Sequence, residues 1–114
     1  MYNKNNVANV PPMGWNSYDY YNTTVNEEQV RANAEYMAKN LKEFGWEYVV
    51  IDIQWSEPNA GKRNGENIQY IPFSQFCMDE YSRQIPAPNR LPSCANGAGF
   101  KLLAYYIHSL GLKC

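Results

Sequence analysis

Apolar residues recur at steps of three and four in two stretches of the chain, and this spacing predicts two amphipathic helices. The first begins after Asn26, a capping residue with Gln29 as its capping-box partner, and Gly45 is its expected left-handed end. The second extends from about Phe100 to Leu110 and ends at Gly111. The apolar positions are Val30, Ala34, Met37, Leu41 and Phe44 in the first helix and Phe100, Leu103, Ala104, Ile107 and Leu110 in the second.

Two shorter apolar stretches predict strands. Tyr48 to Ile51 is an apolar run without clean alternation, which is typical of a strand buried on both faces of a parallel sheet. Met13 to Tyr18 predicts a first strand that runs into a loop, and Gly14 in it permits the close approach of another backbone or of a ligand. The second helix ends like the first, so Cys114 is expected to be the first residue of a third strand. This order predicts an α/β fold, the first two βα units of a barrel of about 250 residues or more.

The segment from residue 56 to 98, between the second strand and the second helix, shows no helical period. Its prolines and aromatic residues favour a long, ordered, irregular loop of the kind that is often functional. Gln69 to Phe73 and Met78 to Ile85 are the predicted arms of a small hairpin within it, although Pro72 weakens the first arm. Residues 1–9 are polar and are expected to form a loose lead-in, so that residues 10–114 make up one domain, which we expect to be cut off at its third strand.

Composition excludes some partners and leaves others open. With 114 residues and a formal net charge of −1, the chain forms at most one domain, and its balanced charge indicates neither nucleic acid nor a membrane as a partner. Aromatic residues make up 15% of the chain, which suits either a surface that stacks on sugars or a well-filled core. The N-terminus lacks the apolar stretch of a signal peptide and no run approaches transmembrane length, which favours a soluble, cytoplasmic protein.

Cysteine and histidine usage gives no sign of a metal site or a bound cofactor. Cys77, Cys94 and Cys114 lack metal-ligand spacing, and their odd number argues against a disulfide framework while leaving one Cys77–Cys94 bridge open. His108 is the only histidine, so a histidine metal site or a Ser-His-Asp triad is not expected.

Polar and aromatic side chains follow the predicted second strand at its carboxyl end. Asp52, Gln54 and Trp55 stand where α/β enzymes keep binding groups, although a core strand whose polar end merely meets solvent is the alternative. Trp15, in the first strand, either lines such a site or fills the core. The remaining loop carboxylates match no catalytic motif and are expected to be solvated charges. They are Asp19, Glu57, Asp79 and Glu80.

Four stretches, taken together and in this order, resemble the N-terminal part of the melibiase-type α-galactosidases, which are glycoside hydrolases of family 27. The stretches are Pro11 to Ser17, Gly45 to Trp55, Arg83 to Ser93 and Gly99 to Lys113. The catalytic domain of that family is a TIM (β/α)8 barrel. The resemblance therefore implies that the chain is an incomplete part of such a barrel, with the remainder of the barrel as its missing partner.

The resemblance assigns sugar-binding roles to two residues. Trp15 matches a tryptophan that lines the sugar pocket, and Asp52 matches an acidic residue that accepts hydrogen bonds from galactose hydroxyls. An ionised carboxylate suits this task because its two oxygens accept from two hydroxyls at once. The family often has a second aspartate next to this residue, where this chain has Ile53. The change removes one hydroxyl acceptor and bears on selectivity for galactose.

The family's catalytic carboxylates lie on later strands, so no catalytic residue is assigned in this chain. Retaining glycosidases need two carboxyl groups about 5 Å apart, one as the nucleophile and one as the acid/base. The resemblance implies that the full-length protein hydrolyses terminal α-galactosides of oligosaccharides or polysaccharides, and that the 114 residues alone are inactive. A non-catalytic carbohydrate-binding piece and an orphan fragment that does not fold stably are the alternatives.

Overall fold

The structure is a computed structural model that describes residues 10–60 and 74–114. The predicted lead-in, residues 1–9, and the first predicted hairpin arm, Gln69 to Phe73, lie outside the described residues. In chain order the strands and α-helices are β1 (Gly14–Asn16), α1 (Tyr18–Tyr21), α2 (Glu27–Asn40), β2 (Tyr48–Val50) and α3 (Lys101–Ser109). Two short 3₁₀ turns, Lys42–Phe44 and Pro92–Cys94, precede β2 and α3 respectively.

The two strands are parallel, as the βα order predicted. Gly14 is in register with Tyr48, Trp15 with Val49 and Asn16 with Val50. The sheet continues on the other side of β2 through a parallel bridge between Tyr48 and Lys113. In it the Val49 N–H donates to the Lys113 carbonyl at 2.8 Å. Pairing at the chain's last residues thus begins one residue before the predicted position, Cys114.

The start of α2 is fixed by the predicted capping box. The Gln29 N–H donates to Asn26 Oδ1 at 2.9 Å, and the Asn26 N–H donates to Gln29 Oε1 at 3.0 Å. At the other end, α2 gives way to the 3₁₀ turn before Gly45, which has a φ of +91°. Because a 3₁₀ turn has fewer residues per turn than an α-helix, it takes Phe44 off the apolar stripe. Phe44 is 67% exposed, so its predicted core position is wrong.

The Glu27 carboxylate joins the first turn of α2 to the segment that precedes α3. Its Oε1 accepts from Arg31 Nη2 at 2.7 Å, and its Oε2 accepts from the Ser93 N–H at 2.7 Å. Burial raises the pKa of Glu27, but these hydrogen bonds outweigh burial and hold the pKa below its ordinary value of 4.5. The anion also lies at the helix N-terminus, where the helix dipole favours it.

The core lies between the two long helices and one face of the sheet. Its buried members are Val25, Val30, Ala34, Met37, Val49, Leu91, Cys94, Leu103, Ile107 and Leu112. The prediction that β2 is buried on both faces is wrong for the described residues, because Val49 is buried while Tyr48 is 37% and Val50 42% exposed. Successive strand residues face opposite sides of a sheet, and the helices cover the Val49 side alone in this part of the chain.

Among the described residues after β2, one short stretch of the long segment folds back on itself, while the first arm of the predicted hairpin lies outside the described residues. Met78 makes an antiparallel bridge to Gln84, so that the predicted second arm, Met78 to Ile85, pairs with itself. The turn is closed at Ser82, whose φ of +60° is left-handed, and the Asp79 N–H donates to the Arg83 carbonyl at 3.0 Å.

Candidate functional site

The carboxyl ends of β1 and β2 place two polar side chains next to each other. Asn16 is the last residue of β1, and Asp52 lies two residues beyond the end of β2. Asn16 Nδ2 donates to Asp52 Oδ2 at 3.0 Å. The Asp52 N–H in turn donates to Ser17 Oγ at 2.9 Å, and Ser17 is fully buried. Parallel strands end on the same side of a sheet, so this pairing follows directly from the register.

The Asp52 carboxylate is half-buried and keeps hydrogen-bonding capacity. Its second oxygen, Oδ1, accepts from the Ile53 N–H at 2.9 Å. An ionised carboxylate has about four acceptor positions, of which these two N–H groups occupy two. The arrangement fixes the direction of the side chain while leaving each oxygen able to accept from a hydroxyl group.

Trp15 is half-buried and contacts the core. It is in register with the buried Val49, packs against the core cluster and meets Tyr21 edge to face, with 6.2 Å between ring centroids and 72° between ring planes. It also borders a concave surface of about 390 Å³, shared with Pro12, Gly14, Asn16, Tyr48 and Val50. The packing of Trp15 against the core supports its role in filling the core, and its position at the concave surface supports a role in a site.

The side chains of the other two residues at the end of β2 have their recorded contacts with other parts of the chain. Trp55 packs edge to face on Phe100, at 5.2 Å between centroids, on the side of α3. Gln54 has a left-handed backbone, with φ of +61°, and its Nε2 donates to Ser74 Oγ at 3.1 Å. Asp52 is thus hydrogen-bonded to Asn16, which was not predicted as a site residue. The recorded contacts of Gln54 and Trp55, which were predicted to share the site, are with Ser74 and Phe100 instead.

One of the four loop carboxylates departs from expectation. Asp19 and Glu80 are exposed, and Asp79 forms an ion pair with Arg83 at 2.7 Å, as expected for surface charges. Glu57, however, is fully buried, and its prediction as a solvated loop charge is wrong. Its Oε1 accepts from the Asn59 N–H at 2.9 Å, and a second buried charge, Arg90, donates to its main-chain carbonyl at 3.0 Å. A buried carboxyl is retained where a cation and hydrogen bonds accompany it.

All three cysteines lie within the described residues and are free thiols, with Cys94 buried. Burial raises the pKa of the Cys94 thiol. In residues 10–60 and 74–114, no group of three or more His, Cys, Asp or Glu side chains is arranged to hold a metal ion. Within the same ranges, none of the helices combines the length and the apolar character that crossing a membrane requires.

Comparison with known proteins gives the same family from sequence and from structure. The chain superposes on a family 27 β-L-arabinopyranosidase from Geobacillus stearothermophilus with a TM-score of 0.83 and 59% identity, covering 93% of this chain and 23% of that enzyme. It is 32% identical to the α-galactosidase of Cyamopsis tetragonoloba over 111 residues, 96% of this chain and 21% of that protein. The predicted family resemblance is confirmed. No family model matches the chain.

A less similar solved structure, that of α-galactosidase I from Mortierella vinacea, is 28% identical with a TM-score of 0.69, and the match covers 97% of this chain. The chain spans 22% of that enzyme. It spans about a fifth to a quarter of the length of each of these three relatives. Nearly all of the chain is accounted for by the family, whereas most of each relative lies outside the matched region.

Proposed function

We propose that the full-length protein containing this chain is a retaining family 27 glycoside hydrolase that cleaves terminal α-galactosides or the related β-L-arabinopyranosides. This chain contributes Asp52 and Trp15 to the sugar pocket, and the two catalytic carboxylates come from other parts of the protein. The observation that carries the proposal is the Asp52 carboxylate, fixed by Asn16 at the carboxyl ends of two parallel strands. In α/β enzymes of the barrel class, binding groups gather at the carboxyl ends of the strands.

In this proposal the chain forms the first two βα units of a (β/α)8 barrel. The exposed side of β2 supports it, because Tyr48 and Val50 present apolar surface that further strands would cover. A neighbouring hollow of about 340 Å³ lies between β2 and α3 and also presents apolar surface. It is lined by Val49, Val50, Ile51, Phe100, Ala104 and Cys114. The remainder of the barrel is therefore the partner expected for this face.

Ile53 supports the arabinopyranoside as the second candidate substrate. β-L-Arabinopyranose has the ring hydroxyls of α-D-galactopyranose but lacks the hydroxymethyl group, and so offers one hydroxyl fewer. The chain, with Ile53 where the family often has a second aspartate, offers one hydroxyl acceptor fewer. The similar Geobacillus enzyme is a β-L-arabinopyranosidase, and its D197A variant is known in complex with arabinose.

The proposal is tested by substituting Asp52 in the full-length protein. With aryl α-galactoside and aryl β-L-arabinopyranoside as substrates, Asp52→Asn should lower kcat/KM about 10- to 100-fold, since a hydrogen bond to a charged group contributes about 1.5–3 kcal/mol. Asp79→Asn is the matched control, because it removes a carboxylate from the surface turn and should leave kcat/KM unchanged. Absence of turnover of both substrates by the unsubstituted protein would refute the proposed activity. An Asp52→Asn variant as active as the control would refute the role of Asp52.

The same assay separates the two sugars. Ile53→Asp adds a carboxylate beside Asp52 and should shift the ratio of kcat/KM values toward the galactoside by about tenfold, the worth of one further hydrogen bond. A ratio that does not move would show that residue 53 does not contact the part of the sugar in which the two substrates differ.

A further inference from the structure

Arg90 is a buried cation that donates to four main-chain carbonyls. It is 7% exposed. Its Nη1 donates to the carbonyls of Gln54 at 2.7 Å and Glu57 at 3.0 Å. Its Nη2 donates to the carbonyls of Thr23 at 2.6 Å and Val25 at 2.8 Å. One side chain thereby satisfies four carbonyls that belong to no helix or strand.

These four carbonyls lie in the connections that follow the two strands. Thr23 and Val25 belong to the stretch between α1 and α2, downstream of β1, whereas Gln54 and Glu57 follow β2. Arg90 itself is anchored, because its own carbonyl accepts from the N–H of Glu27, the first residue of α2, at 2.9 Å. The guanidinium is therefore hydrogen-bonded to both loops that follow the carboxyl ends of the strands, where Asn16 and Asp52 lie.

The hydrogen bond from Arg90 to Gln54 stabilises the bend after β2. Gln54 has a φ of +61°, which is left-handed, and a non-glycine residue in such a conformation costs about 1–3 kcal/mol unless its surroundings hold it. Its carbonyl is held from two sides, by Arg90 and by the Glu57 N–H at 3.1 Å. Gln54 lies two residues beyond Asp52, so a relaxed bend would turn the Asp52 carboxylate away from Asn16.

We propose that Arg90 is a positioning residue of the sugar pocket, which holds the bend at Gln54 and so keeps the Asp52 carboxylate aimed at the sugar. The inference rests on the proposed function. Arginine suits the task because a planar fork of donors reaches carbonyls on both sides, which the single nitrogen of lysine reproduces only in part. The buried Glu57 compensates the charge: burial lowers the pKa of Arg90, and the Glu57 carboxylate raises it.

Substitution of Arg90 in the full-length protein tests the proposal. Arg90→Met should raise KM for the aryl glycoside at least about tenfold with kcat changed less than about threefold, because loss of uniform sugar binding appears in KM. Arg90→Lys should recover part of this loss. Arg83→Met and Arg83→Lys are the matched controls, since Arg83 is an exposed arginine paired with Asp79 in the same segment, and they should leave KM unchanged. All kinetics are measured well below each variant's melting temperature.

A merely structural role for Arg90 gives a different result. It would lower the melting temperature of both variants while leaving KM at the value of the unsubstituted protein wherever the variants are folded, and this outcome would overturn the proposal. If neither variant folds, amide hydrogen exchange of the unsubstituted protein decides. The amides of Thr24, Asp52 and Glu57 should then open with one shared free energy, because one guanidinium holds both loops.

Separate opening free energies for the two loops would overturn the proposal without any substitution. The exchange experiment also distinguishes the two proposals from each other. If the protein cleaves neither glycoside, the proposed function fails, while a shared opening free energy still supports coupling between the loop after β1 and the loop after β2.

Discussion

Replacement of Gly14 by alanine should separate the two strands on which the candidate site is built. An added Cβ at Gly14 would lie 2.2 Å from the carbonyl oxygen of Tyr48 and 2.6 Å from its Cβ. Since favourable contacts between carbon atoms lie at about 3.5–4.0 Å, the strands would have to move apart by about 1 Å. The obstructing atoms are backbone and Cβ, which cannot rotate away as the end of a long side chain could.

The magnitude follows from what that separation breaks. The Met13 carbonyl, next to Gly14, accepts from the Glu47 N–H at 2.9 Å and from the Tyr48 N–H at 3.2 Å. Loss of these two bonds at about 1 kcal/mol each, together with about 1–3 kcal/mol for overpacking, gives a cost of about 3–5 kcal/mol. Alanine also lowers the conformational entropy of the unfolded chain, which offsets less than about 1 kcal/mol of this destabilisation.

The free energy of unfolding is measured by urea titration of the full-length protein, followed by tryptophan fluorescence. Gly45→Ala is the control, because within the described residues its added Cβ meets no atom within 4 Å and only its φ of +91° opposes alanine. That conformation alone costs about 1–2 kcal/mol. If Gly14→Ala proved no more destabilising than Gly45→Ala, the reasoning from close strand approach would be refuted.

Two further predictions concern the start of α2. Asn26→Ala removes one bond of the capping box and leaves an N–H without its acceptor, so the free energy of unfolding should fall by about 1 kcal/mol, measured by the same urea titration. Glu27 has a folded-state pKa below its ordinary value, so its contribution to stability is present above about pH 4.5 and is lost as the pH falls through the lower folded value. Unfolding titrations from about pH 6 down to about pH 3 should therefore show a smaller loss of stability in Glu27→Gln than in the unsubstituted protein, and parallel curves would contradict this.

Features with local causes could be predicted from the sequence. The capping box needs only Asn26 and a glutamine three residues later, and Gly45 ends its helix because glycine adopts a positive φ at low cost. Gly14 was likewise predicted to permit the close approach of another backbone or of a ligand, and the backbone that approaches it is that of Tyr48. Phe44 was assigned wrongly because the periodic pattern could not reveal a change from α to 3₁₀ geometry.

Features that depend on distant parts of the chain could not be predicted in this way. The carbonyls bound by Arg90 lie 33 to 67 residues away along the chain, and nothing near Arg90 or Glu57 in the sequence signals that these charges are buried. Asn16 is an intermediate case. It lies in the predicted first strand, which is parallel to the strand that ends before Asp52, so the rule that binding groups gather at the carboxyl ends of parallel strands could have paired the two.

The geometry around Asp52 explains how one carboxylate could serve both candidate sugars. Asn16 and the Ile53 N–H each occupy one acceptor position, on different oxygens, and so leave one position on each oxygen. Two such positions suit two neighbouring ring hydroxyls, and galactopyranose and arabinopyranose share these. Discrimination would then depend on what stands beside Asp52. An isoleucine there accepts no hydrogen bond, so binding to this strand end would depend on the shared hydroxyls and give the hexose no added advantage.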